Sequence, residues 1–147
     1  MTNDHIMNHL GPLASLAGIW EGDQGIDIAP SPQGPVETKF RERIVFEPMG
    51  PVCNGPQTLF ALKYSTTAWP LDLQDAFHEE LGYWLWDAHA GQVMRCFIVP
   101  RGVNVLAGGF AKETDTSFAM HADVGSETWG ISSNPFLDKA FRRYAMN

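Results

Sequence analysis

The segment Phe77-His78-Glu79-Glu80-Leu81-Gly82-Tyr83-Trp84-Leu85-Trp86 holds a dense set of side chains able to do chemistry. Read as an alternating strand, it sends His78, Glu80, Gly82, Trp84 and Trp86 to one face. Phe77, Glu79, Leu81, Tyr83 and Leu85 fall on the other. An imidazole, carboxylate and two indoles on one wall suit a cavity for a flat, partly polar ligand. Aromatic rings supply area there, and a few polar groups fix orientation. The same pattern also describes a strand near a rim whose indoles pack under loops.

A second candidate lies in Glu37 to Pro48, where Thr38, Phe40, Glu42, Ile44 and Phe46 share the inward-reading face. Lys39, Arg41, Arg43 and Glu47, with Val45, take the opposite face. A buried carboxylate without a partner is costly, so Glu42 should meet an Arg, a His or backbone donors. Arg41, Arg43 and Arg95 are the available cations. If it lines a cavity, Glu42 is a functional residue; if it is paired, it is structural.

The remaining histidines offer less. His5 and His9 are four apart, a helical spacing that can chelate a metal, but no third ligand stands near them, which favours a solvated helix face. His89 sits in a turn and His121 on the polar side of Thr116 to Val124, both as surface residues. There is no G-x-S-x-G elbow, no H-E-x-x-H and no phosphate-cradling glycine loop. Gly108-Gly109 lies within a strand pattern, where it marks a bend or bulge.

The elements that must position these residues are short strands. Residues 3–10 carry Ile6, Met7 and Leu10 at helical spacing, with Asn3 or Asp4 as N-cap and Gly11-Pro12 as a stop. A second turn over residues 12–18 follows, ended by Gly18. Thereafter the period is two. Strands are predicted in residues 37–48, 57–66, 76–88, 92–100, 102–110 and 116–124, with loops at 31–35 and 65–76. Turn signals every dozen residues, without long amphipathic helices, argue for an antiparallel all-β domain.

Composition bounds the function. The 147 residues suit one domain, at roughly 100 to 200 residues per core. The chain is 44% hydrophobic and 18% charged, which fits a packed core. A net charge of -7 with scattered basic residues disfavours nucleic acid and anionic membranes as partners. Cys53 and Cys96 lack metal or redox spacing, and no basic leader or long apolar run is visible, so a reducing cytoplasm is expected.

The stretch Leu13 to Pro30, with Gly18-Ile19-Trp20-Glu21-Gly22, resembles the nitrobindin family, whose mark is G-x-W-x-G-x-G. Gly18, Trp20 and Gly22 match; Gln24 stands at the last glycine, and Gly25 follows one position late. The likeness continues through residues 40–51, 77–84 and 101–109, and residues 124–141 are similar to a bacterial branch.

The resemblance implies a lipocalin-like or fatty-acid-binding-protein-like antiparallel β-barrel of about ten strands when complete. It would be a single domain, with residues 1–17 capping one end and residues 18–147 forming the barrel, its last strands either complete in divergent form or cut short. Trp20 would pack into the closed bottom, and Gly22 would permit close approach or bending. The implied cofactor is haem b, in a pocket that includes Phe77, His78, Phe40 and Glu42. In haem-binding relatives a C-terminal histidine holds the iron. No histidine follows His121, so either the sequence stops short of that ligand or this member has lost it; a segment matching Phe77-His78 lies by the pocket in those relatives, and the resemblance thereby implies His78 as the candidate metal ligand.

The resulting expectation is a barrel that binds haem or another hydrophobic ligand and is not an enzyme. One alternative implied by the resemblance is a ferric haem protein that binds nitric oxide and isomerises peroxynitrite to nitrate. Another is a lipid carrier or a partner-binding barrel with its interior filled by side chains. Unpaired strand edges would invite a homodimer.

Overall fold

The fold was analysed in a computed structural model in which residues 2–135 are described. Helix α1 spans Asn3–Met7, and Thr2 caps it by accepting a hydrogen bond from the His5 amide at 3.4 Å. The cap is thus one residue earlier than Asn3 or Asp4. A 3-10 turn, Gly11–Leu16, follows with Pro12 in its first turn, where no amide donor is needed. Ile6, Leu10 and Leu13 point from these turns into the core. Gly11 is left-handed (φ 53°) and lies against the indole of Trp86, where a Cβ would collide. The two turns therefore plug one end of the sheet.

Among the described residues, eight strands form one sheet. They are β1 Gly18–Ala29, β2 Val36–Asn54, β3 Gln57–Pro70, β4 His78–Asp87, β5 Gln92–Val99, β6 Val103–Phe110, β7 Asp123–Val124 and β8 Gly130–Ser133. Their spatial order is β1-β2-β3-β4-β5-β6-β8-β7, and every neighbouring pair is antiparallel except β7 with β8. Register fixes the shared inner face. Trp20 is opposite Ile44, Glu42 opposite Ala68, Thr66 opposite Glu80, Leu62 opposite Trp84, and Trp84 opposite Arg95. The alternation read from residues 37–48 and 77–86 is the one that forms.

Several sequence expectations change. The ladder holds eight strands, and among the described residues it does not close on itself, leaving β1 and β7 as edges. β3 runs on through Pro70 into a stretch expected to be loop. The predicted strand at 116–124 reduces to β7 and an isolated bridge between Gly108 and His121. The polar run 112–117 explains this: it offers no apolar alternation, and the Asp115 carboxylate turns the chain by accepting from the Lys112 amide at 2.8 Å. Trp20 is 50% exposed and is not buried in a closed bottom.

The glycines of the family mark also behave differently from expectation. A Cβ on Gly22 would meet nothing within 4 Å, so no close approach is needed there. The irregularity of β1 falls between Gly22 and Gly25, and it is Gly25 that lies against a ring, that of Phe40. Gly109 admits the Ala119 backbone, whose carbonyl oxygen occupies the space a side chain would need. Phe118 then rests edge-on to Trp84 at 6.5 Å and closes the deep part of the cup.

Gly109→Ala is therefore expected to lower stability by about 1–3 kcal/mol through overpacking against backbone. Gly22→Ala, in open space, should stay within about 0.5 kcal/mol of the parent. Urea unfolding of the two variants, followed by tryptophan fluorescence, tests the contrast.

Candidate functional site

The inner face carries a chain of polar groups set among rings. Glu80 on β4 is almost fully buried, with 8% of its side chain exposed. Its Oε2 accepts from Arg95 Nη2 at 2.6 Å and from the Tyr64 hydroxyl at 2.9 Å. Its Oε1 lies 2.9 Å from His78 Nε2. Arg95 Nε also donates to the Tyr64 oxygen at 3.2 Å, and Arg101 Nη2 approaches His78 Nδ1 at 3.4 Å. Three strands, β3, β4 and β5, thus contribute to one carboxylate.

Rings surround the cation. The Arg95 guanidinium lies 4.5 Å from the ring centre of Phe97, 5.1 Å from Trp84 and 5.5 Å from Tyr64. Such contacts favour a cation in a poorly solvated place. Phe46 stacks on Tyr64 at 5.8 Å and meets Trp84 edge-on at 6.0 Å. The Trp84 Nε1 is buried with no acceptor among the described residues, an uncompensated cost in a water-excluding layer.

Electrostatics follow from this geometry. Burial alone would raise the pKa of Glu80, but the hydrogen bond with His78 and the charge of Arg95 outweigh it and hold the group below its ordinary value. Burial would likewise depress Arg95, and the facing Tyr64 and Glu80 reverse that. Tyr64 is pushed well above the usual phenol range, chiefly by burial. Glu42 moves the other way from Glu80: burial first, and then the neighbouring Glu80 charge, raise it.

The structure brings together four of the residues singled out from the sequence. Phe40 meets Phe77 edge-on at 5.8 Å, Glu42 shares their wall, and His78 begins β4 beside them. Gly18 opens β1 with φ 117°, and Trp20 Nε1 donates to the Leu16 carbonyl at 2.7 Å. The expected ion pair of Glu42 does not form. Arg95 goes to Glu80, Arg43 pairs with Glu21 on the outer side at 3.2 Å, and Arg41 covers Trp69 at 4.4 Å. Tyr64 was missed, because an isolated tyrosine in an apolar strand carries no spacing signal. Arg95 did carry one, as the lone cation between Val93 and Phe97 on the inward face.

Open space in the cup lies between β1 and β2, a hollow of about 310 Å³ lined by Trp20, Gly22, Gly25, Phe40, Glu42 and Ile44, with Glu21 and Gln24 of the irregular part of β1 at its rim. A larger groove of about 780 Å³ lies mostly on the opposite face, between Leu81, Ile98, Leu106 and Trp129. It includes none of the Glu80 network's polar side chains except Tyr64, so the chemistry centres on the cup.

A family model, described as the THAP4-like, heme-binding beta-barrel domain, matches residues 9–147. The chain belongs to this family. It is the nitrobindin group that the Gly18-Trp20-Gly22 mark resembles. No curated protein matches the chain significantly.

Family membership makes haem the group against which the cup must be tested. The aromatic wall suits a flat macrocycle, but axial ligation finds no ready imidazole. All five histidines lie among the described residues. Both ring nitrogens of His78 are engaged, by Glu80 and Arg101. His121 packs edge-on to Trp129 at 5.2 Å, and Gly108, its bridge partner, abuts that indole as well. His9 stacks on Phe60 at 4.8 Å with its Nδ1 held at the His5 carbonyl, and His89 lies in the turn after β4. The aromatic side chains are of the kind that packs on a flat ring, whereas the described histidines offer iron no free, inward-facing imidazole.

Removing Arg95 would leave Glu80 charged and buried, and Arg95→Met is expected to destabilise the protein by about 3–5 kcal/mol at pH 7. Because Glu80 is held low in the folded state, its stabilisation is present above the ordinary carboxylate pKa and is lost as the pH falls through the folded value. The gap between Arg95→Met and the parent should therefore shrink on acidification. Chemical unfolding at several pH values measures it.

Proposed function

We propose that this protein is a ligand-binding barrel whose cup accepts a hydrophobic ligand, with haem the first ligand to consider from its family. The observation that carries the reading is the open end of the aromatic inner face, where Trp20, Phe40, Glu42 and Ile44 surround unfilled space, with Phe77 edge-on behind Phe40 and the Glu80 network on the neighbouring strands. A hollow of about 310 Å³ is at the small end of the roughly 300–1,000 Å³ found for ligand sites. Rigid rings give contact area without an ordering cost, and the Glu80 network keeps β3, β4 and β5 in register behind them.

Haem would be held here by packing on this wall; His78 could serve iron only by giving up Glu80 or Arg101. That exchange would leave the buried Glu80 with one donor fewer, which is costly. The supporting residues therefore favour binding over catalysis. Lipid is the rival occupant, since nothing in the wall demands a planar guest.

Titration with hemin is expected to shift and sharpen the Soret band, with His78→Ala leaving the band position unchanged. Ile44→Arg, which fills the hollow, should abolish the shift. A free-hemin spectrum, together with no enhancement of the neutral dye N-phenyl-1-naphthylamine, would remove the binding-barrel reading. A band lost specifically in His78→Ala would show that the imidazole does leave Glu80.

A further inference from the structure

We propose that the hollow between β1 and β2 selects a hydrophobic ligand bearing a positively charged head group, an alkyl or aryl ammonium ion, with Glu42 as its counter-ion. The inference rests on the binding-barrel reading and adds to it the sign of the ligand's charge.

The first observation is the bare carboxylate. The Glu42 side chain lines the hollow and makes no hydrogen bond or ion pair with the described residues, although Arg41 and Arg43 flank it on β2 and Arg95 shares the inner face from β5. Each is committed elsewhere. Arg95 is bound to Glu80 and Tyr64, Arg43 is paired with Glu21, and Arg41 covers Trp69 and reaches the Leu73 carbonyl at 3.4 Å. Strand alternation turns Arg41 and Arg43 to the face away from the hollow, where with Glu21 and Trp69 they line a separate space of about 440 Å³ that Glu42 borders from the other side, and their side chains are held there by Trp69 and Glu21.

The second observation is the distribution of charge on the inner face. Glu80 and Arg95 cancel one another. Along β1 and β2 the only charged groups on that face are acidic: Glu42, opposite Gly22, and Asp27, opposite Thr38. A ligand carboxylate entering the hollow would meet Glu42 without a cation to receive it. An ammonium ion would meet complementary charge.

The third is the company Glu42 keeps. Trp20 and Phe40 line the same hollow, and both rings are fixed, Trp20 by its bond to the Leu16 carbonyl and Phe40 by Gly25 and Phe77. Aromatic faces attract organic cations, more strongly where water is thinned out, and one carboxylate beside two rings is a recurrent way to hold them. Burial, and then the Glu80 charge, raise the pKa of Glu42 against the opposing influence of His78 and Arg95, which fits an anion compensated only in part.

The test uses three ligands of one chain length and different heads: dodecylamine, dodecan-1-ol and dodecanoate, each displacing N-phenyl-1-naphthylamine from the full chain at pH 7 and low salt. Dodecylamine is expected to displace the dye at a concentration at least tenfold lower than the alcohol, with dodecanoate the weakest. In Glu42→Gln the advantage of the amine over the alcohol should fall to within about twofold while the alcohol is unchanged. Glu79→Gln, on the outer face of β4, should keep the parent ranking. Dodecanoate equal to or better than the amine in the parent would overturn the proposal while leaving the binding barrel standing. So would an amine advantage that survives in folded Glu42→Gln. Failure of the dye and all three ligands to bind would overturn the proposal, and a free-hemin spectrum besides would overturn the binding barrel with it. Should Glu42→Gln not fold, the parent ranking decides by itself.

Discussion

The carboxylate of Glu80 is the constraint around which the inner face is organised. A charge so deeply buried is tolerated only if donors surround it, and here they come from Arg95, Tyr64 and His78 on three consecutive strands. Sliding any of these strands by one residue would turn its donor to the other face and strand the charge. The network thereby fixes register among β3, β4 and β5, and it consumes Arg95, the one arginine that the described strands place on the inner face. The cup inherits two consequences: a wall of rings packed around a neutral ion pair, and a second carboxylate, Glu42, left over.

Family membership and chain chemistry bear on different questions. The match over residues 9–147 assigns the architecture, and the sheet order with its N-terminal plug agrees with a barrel wall. Ligand chemistry is decided by side chains, which vary on a common fold. In this chain the imidazole nearest the cup is part of the structural network, and its removal from that network has an energetic cost. The hydrophobic wall is kept while the means of gripping a metal is not evident, which shifts the weight of recognition onto shape, rings and charge.

Much of this wall was legible in the sequence. Alternation in residues 37–48 and 77–86 placed Phe40, Glu42, Ile44, His78, Glu80 and Trp84 on faces that register makes common. What stayed hidden was pairing across strands. The sequence shows that Glu42 needs a partner and that Arg95 is an odd cation in an apolar strand, but which carboxylate Arg95 meets depends on where β4 and β5 align. The polar segment 112–117 defeated the strand expected at 116–124. The exposure of Trp20 could not be read locally either, since it depends on what lies across the edge of β1.

The bond from Trp20 to the Leu16 carbonyl ties the first ring of the wall to the N-terminal plug. Leu16 ends the turn that carries Leu13 into the core, so the indole and the plug are mechanically one piece. A guest that rotates this indole must either break the bond or drag the 3-10 turn with it. Movement of the indole and movement of the N-terminal stopper are in this way coupled through one hydrogen bond.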